Sequence, residues 1–188
     1  MKIEELTVGP IGTCCYLVGR DETSPCLVID PGGEADRILR ALNGRPIAAI
    51  LLTHGHFDHI GAAAELKKPD TPLLVHALDA PMLSDPVRNV SRAFLYRGIT
   101  APEPTGLLRD GDRLDLAGLT VEVIHTPGHT PGSVCFRIGD HLFTGDTLFA
   151  HGWGRTDLPG GDEKALFASL RKIEPLARVL PVYPGHDT

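Results

Sequence analysis

The sequence predicts a mixed α/β fold with sheets inside and helices outside. Short apolar or alternating segments come in blocks, and helical patterns separate the blocks. One uninterrupted apolar run, residues 47–52, reads as a central strand covered on both faces. A chain of 188 residues with 42% apolar side chains can bury the core of a single domain without disulfide staples.

In chain order, residues 3–8, 14–19 and 25–29 read as three antiparallel strands separated by Gly-Pro, Gly-Thr and Asp-Glu-Thr-Ser turns. Asp30-Pro31-Gly32-Gly33 ends the third. Residues 34–42 place Ile38, Leu39 and Leu42 at helical spacing with an acid in the first turn, an amphipathic helix. After the central strand come a short Ala-rich helix over 60–68 and a return strand over 72–75. Pro81, Pro86, Pro102 and Pro104 then interrupt the pattern, so a lid or insert is expected at about 76–108. Within it Val90, Ala93 and Phe94 read as packing, beside Tyr96. Residues 114–116, 119–124, 133–138 and 141–143 form successive strands of a second sheet, joined by Asp-Gly and Gly-Asp turns. Leu166, Phe167 and Leu170 mark a helix over 162–173, and residues 179–183 a last strand. Pro31-Gly32-Gly33-Glu34 and Pro159-Gly160-Gly161-Asp162 each open a helix, an echo of a two-half plan.

The charge balance of 18 Lys+Arg against 24 Asp+Glu, net -6 and without a basic cluster, excludes a nucleic-acid or polybasic membrane surface and favours a small-molecule substrate. No apolar run approaches the roughly 18 residues that span a bilayer. Glu4 and Glu5 stand where a signal peptide would be apolar, so a cytoplasmic location is expected and the Asn89-Val90-Ser91 sequon carries no weight. Cys14, Cys15, Cys26 and Cys135 lack C-x-x-C spacing and read as buried reduced thiols.

The chemistry concentrates in Thr53-His54-Gly55-His56-Phe57-Asp58-His59, directly after the central strand. In an extended stretch His54 and His56 point the same way, while Asp58 and His59 fall in the first turn of the following helix. His129, Asp146 and His186 each follow a strand and each is preceded by Gly. Five His and two Asp at neighbouring strand ends exceed the nitrogen content of a Ca or Mg cage and suffice for two borderline cations, zinc foremost, with iron or manganese as alternatives. The assignment gives His54, His56 and His129 to the first metal, Asp58, His59 and His186 to the second, and makes Asp146 the bridge. Each ion keeps an open position for a shared water.

These residues resemble the metallo-β-lactamase superfamily from end to end, through Asp30-Pro31-Gly32, the T-H-G-H-F-D-H string, Thr126-Pro127-Gly128-His129-Thr130, Thr144-Gly145-Asp146 and Gly185-His186. Gly154-Arg155-Thr156-Asp157-Leu158-Pro159-Gly160-Gly161 is similar to the small hydroxyacylglutathione hydrolase (glyoxalase II) type. The resemblance implies an αββα four-layer sandwich and the metal roles just given. In the common binuclear β-lactamases a Cys stands in place of Asp146 and no ligand His follows Asp58, which disfavours that activity. The larger glyoxalase II enzymes hold glutathione with a C-terminal helical domain that has no counterpart here, and Trp153 takes a place where that group often has Cys.

The implied activity is hydrolysis of a small thioester by a metal-bridging hydroxide that Asp58 helps to orient. A thiolate leaves without a general acid, because its parent pKa is near 8.5. By position Arg155 resembles the residue that meets the thiol carrier, with a loop-stabilising pair to Asp157 as the alternative. His151 is a second candidate for the substrate pocket. His76, His125 and His141 read as structural or solvated, and Asp30 as support for the ligand loop. An iron-dependent persulfide dioxygenase, which the G-R-T-D and P-x-H-D strings at Arg155 and His186-Asp187 also approach, is the competing enzyme class. Lactone hydrolysis and a non-enzymatic metal-binding scaffold remain as further readings.

Overall fold

The computed structural model describes residues 1–186, so Asp187 lies outside the described residues. Two sheets face each other. The first has six strands in the order of the chain: β1 (Lys2–Val8), β2 (Thr13–Gly19), β3 (Cys26–Ile29), β4 (Ile47–Leu51), β5 (Leu73–His76) and β6 (Gly106–Leu108). β1, β2 and β3 pair antiparallel as expected, and β3 through β6 pair parallel. The second sheet runs β7 (Arg113–Leu116), β8 (Leu119–His125), β9 (Val134–Ile138), β10 (His141–Gly145), β11 (Val182–Pro184), with β11 parallel to β10.

Strand periodicity splits the core in two. Leu27, Ile29, Ala49 and Leu51 point between the sheets to meet Val121, Val123, Phe136 and Phe143, whereas Cys26, Val28, Ile50 and Leu52 point to the opposite face. That outer face is covered by α1 (Ala35–Leu42), α2 (Phe57–Ile60) and α3 (Ala63–Leu66), through Ile38, Leu42, Ile60 and Leu66. Across the second sheet, Cys135 and Leu142 pack against Ile173 of α5 (Glu163–Ala177). The layers therefore run helix, sheet, sheet, helix. Phe136 and Phe143 are fully buried between the sheets, and truncating either to Ala would cost about 3–5 kcal/mol.

Several elements depart from the sequence reading. The helix expected over 60–68 starts earlier, at Phe57, and is two short helices. The break falls at Gly61, which approaches the Gly32 carbonyl too closely to carry a side chain. The helix expected to stop at 173 runs on through Pro175 to Ala177, because a missing N–H in the last turn costs only one bond at an exposed end. The last strand is shorter than 179–183, and β6 was not anticipated at all. The two Pro-Gly-Gly-acid entries also differ: Asp162 caps α5 by accepting the Ala165 N–H, whereas Glu34 sits in a left-handed conformation without a side-chain cap. The echo is one of composition only.

Segment 76–108 contains a 3₁₀ turn (Ala80–Met82), α4 (Ser91–Leu95) and β6. Asn89 pins it: its side-chain amide donates to the carbonyls of Met82 and Ile99, and its own carbonyl accepts the Phe57 N–H at the start of α2. Asn89 is buried, which closes the sequon to modification of the folded chain. All four cysteines are buried, and burial pushes up the thiols of Cys15, Cys26 and Cys135, the last to about 11. No helix among the described residues is long and apolar enough to cross a membrane.

Candidate metal centre

The seven side chains singled out above converge where β4, β8, β10 and β11 end. Three groups each bring their ligand atoms within 4.8 Å of one another: His54, His56 and His129; His54, His59 and Asp146; and Asp58, His59 and His186. Asp146 lies between the outer two. Its Oδ2 is 3.5 Å from His129 Nε2 and 3.6 Å from His186 Nε2, and its Oδ1 is 3.3 Å from His59 Nε2. Asp58 Oδ2 lies 3.2 Å from both His59 Nε2 and His186 Nε2. Gly185 makes this approach feasible, since a Cβ there would overlap Asp146 Oδ1 and come within 2.8 Å of His59 Cε1.

The remaining ring nitrogens fix which atom each His presents. His54 Nδ1 lies 3.1 Å from Thr53 Oγ1, His59 Nδ1 donates to Asp30 Oδ2 at 2.9 Å, and His129 Nδ1 donates to the Arg155 carbonyl at 2.7 Å. Thr53 Oγ1 itself donates to Asp30, so it accepts from His54. All three rings thus turn Nε2 inward. His56 instead turns Nδ1 inward, 2.9 Å from His129 Nε2. Asp30 also accepts the Thr53 N–H at 2.7 Å, which makes it the anchor of the ligand loop that the sequence suggested.

Charge follows the same plan. Burial, reinforced by the neighbouring imidazoles, lowers His54 well below the usual histidine range and His56 to about 3, so both are neutral donors of a lone pair. Burial alone would raise the carboxyls of Asp58 and Asp146, yet His59 and the other imidazoles hold both below the ordinary range. Burial likewise opposes a proton on His59, but Asp58, Asp146 and Asp30 raise its affinity well above normal. His54 Nε2, His59 Nε2 and Asp146 Oδ1 are buried without a hydrogen-bond partner, an arrangement that is costly unless a cation satisfies them. The donor set of imidazoles and carboxylates suits borderline divalent metals.

The centre forms the floor of a cavity of about 370 Å³, whose walls include Phe57, Val90, Phe94, Phe149, Trp153 and Leu158. Phe94, read from sequence as packing, is half-exposed and forms part of that wall, with its ring centroid 6.0 Å from that of Phe57. Arg155 also lines the cavity, but its guanidinium forks onto Asp157, Nε to Oδ1 and Nη2 to Oδ2, both at 2.6 Å. His151 does not reach the cavity. The chain turns tightly between Phe149 and Gly152, whose backbones pair, and leaves His151 exposed. His76 and His125 lie outside the centre, stacked on one another at 4.1 Å, and His141 meets the Tyr183 hydroxyl.

Sequence reasoning missed Asp79. It is buried and joins two loops: it accepts the N–H groups of Gly55 and Gly132 and the Thr130 hydroxyl. It also missed Thr13, whose hydroxyl donates to Asp58 Oδ2 at 3.1 Å. Neither has a local sequence signal, because the partners of Asp79 lie 24 to 53 residues away and that of Thr13 lies 45 away.

A family model described as the metallo-beta-lactamase superfamily matches residues 8–186. The chain is 36% identical over 195 residues to the hydroxyacylglutathione hydrolase GloC of Haemophilus influenzae, covering 100% of this chain and 92% of that protein. It superposes on a crystal structure described as BLEG-1 B3 metallo-beta-lactamase with a TM-score of 0.93 and 38% identity, over 100% of this chain and 92% of the other. It also superposes on TTHA1623 in a di-iron-bound form, with a TM-score of 0.85 and 39% identity, over 98% and 92%. With this fold and a His/Asp cluster at its strand ends, the chain belongs to the metallo-β-lactamase superfamily.

Proposed function

We propose that this chain is a binuclear metal-dependent hydrolase that cleaves a small thioester. The observation that carries the reading is the pair of ligand triads, His54, His56, His129 and Asp58, His59, His186, meeting at Asp146 on the floor of an open cavity. The chemistry supplied by two bound divalent cations, zinc in this reading, is a water acidified towards neutrality and a Lewis acid for the carbonyl oxygen. Asp58, held by Thr13, orients the attacking water. Asp30, Thr53 and the Arg155 carbonyl keep the imidazoles of His59, His54 and His129 in register.

Thioesters fit better than amides. Among the described residues, and apart from the ligand cluster, Arg155 is the one ionisable side chain lining the cavity, and it is not an acid that could protonate a leaving amine. A thiolate, with a parent pKa near 8.5, departs without one. The likeness to a protein described as a hydroxyacylglutathione hydrolase supports the same choice.

The test measures thiol release from S-lactoylglutathione and from a simple acyl thioester beside nitrocefin cleavage, with the zinc-loaded chain. Thioester turnover should exceed β-lactam turnover. Oxygen consumption by the iron-loaded chain with glutathione persulfide, without thioester cleavage, would replace this reading with the dioxygenase one.

A further inference from the structure

We infer that the cavity selects uncharged thioesters with an apolar acyl chain over anionic, polar ones. This deepens the thioesterase reading and rests on it. The floor of the cavity holds the polar groups, and its walls offer Val90, Phe94, Phe149, Trp153 and Leu158. A carbonyl seated over the floor therefore directs its acyl chain along aromatic and aliphatic surface, where no hydrophilic substituent finds a partner. Phe94 and Trp153 are each about half-exposed, 46% and 52%, so apolar area remains there for a substrate to cover. Phe57 backs Phe94, and Phe167 meets Trp153 edge-on at 5.4 Å, so neither ring has to be ordered at the moment of binding.

Charge points the same way. Among the described residues Arg155 is the one cationic side chain on the wall, and its Nε and Nη2 both donate to the Asp157 carboxylate. The pair is neutral as a unit, so the wall presents no unopposed positive charge to an anionic carrier, while the chain as a whole carries a net charge of -6. In the reaction, the oxygen of water adds to the acyl carbon and the C–S bond breaks. The carboxylate, the thiol and one proton released to solvent balance it. No charged carrier is required by that chemistry.

The experiment uses the metal-loaded chain with acetyl, propionyl, butyryl and hexanoyl thioesters of N-acetylcysteamine, beside S-lactoylglutathione. kcat/KM should rise about two- to fourfold per added methylene until the cavity is filled, and should exceed the value for the glutathione ester. Phe94→Ala should flatten the chain-length dependence. Trp153 is the only tryptophan in the chain, so its fluorescence reports binding independently of turnover. Ketone analogues with CH₂ in place of sulfur should perturb its emission with affinities that follow the same series. Thioester cleavage with a flat or inverted dependence, or a preference for the glutathione ester, overturns the inference and leaves the hydrolase reading intact. If no thioester is cleaved while the ketones still bind in order of chain length, the hydrolase reading falls and the cavity preference stands.

Discussion

Asp79 Oδ2 accepts a hydrogen bond from Thr130 Oγ1 at 2.6 Å, and through it the loop of His54 and His56 is joined to the loop of His129. The same oxygen takes the Gly55 N–H at 3.0 Å, while Oδ1 takes the Gly132 N–H at 2.6 Å. Two ligand loops from different sheets are therefore clamped by one buried side chain that touches no ligand.

Asp79→Ala strips acceptors from three buried donors, each worth about 1–3 kcal/mol when left unsatisfied. Because neighbouring losses do not add, the fold should lose about 3 kcal/mol in chemical denaturation, and metal affinity should fall about 10- to 100-fold. Asp79→Asn, which keeps the volume, should recover part of both. Unchanged metal affinity in the Ala variant would deny Asp79 its clamping role.

Asp30→Asn keeps the shape and suits the left-handed backbone at this position, φ 51, but removes the charge that faces His59 Nδ1. Competition with a chelator should show metal affinity reduced about 10- to 100-fold, with a smaller effect on unfolding. Wild-type affinity in this variant would mean that His59 needs no carboxylate behind it.

The Arg155–Asp157 fork is exposed, and it holds the Asp157 carboxyl down at about 2 from a usual 3.8. A depressed folded-state pKa contributes stability that is complete above the unfolded value and disappears as the pH falls from about 4 towards about 2. NMR titration of the Asp157 carboxyl should give a midpoint near 2, returning towards 3.8 in Arg155→Ala. A wild-type midpoint near 3.8 would show that the fork does not persist in solution.

Asp146 stands between the triads, and its Oδ1 is one of the buried atoms left without a partner. Asp146→Ala should abolish thiol release and lower metal content together, as read by elemental analysis. Full activity with unchanged metal content would remove Asp146 from the centre.

How much of this was legible in the sequence depends on how local each signal is. His54 and His56 could be paired from spacing alone, since an extended loop after a covered strand points both the same way. His129, Asp146 and His186 could be gathered because each follows a strand through a Gly. Asp79 could not, for it lies in a Pro-interrupted segment and its partners are 24 to 53 residues away. β6 escaped for a related reason: three residues at a sheet edge carry no periodicity, and β5 supplies the pairing. The spacing of Val90 and Phe94 suggested one helical face, but Val90 precedes α4 with a left-handed backbone, and what the two share is the cavity they line.

The central claim, a two-metal thioesterase, is tested most directly by stripping the chain of metal and following thiol release from an acyl thioester as zinc is added back. Without metal no turnover is expected, and the activity should reach a plateau at two equivalents per chain. Turnover in the stripped chain, a plateau at one equivalent, or no thioester cleavage at any loading would contradict it.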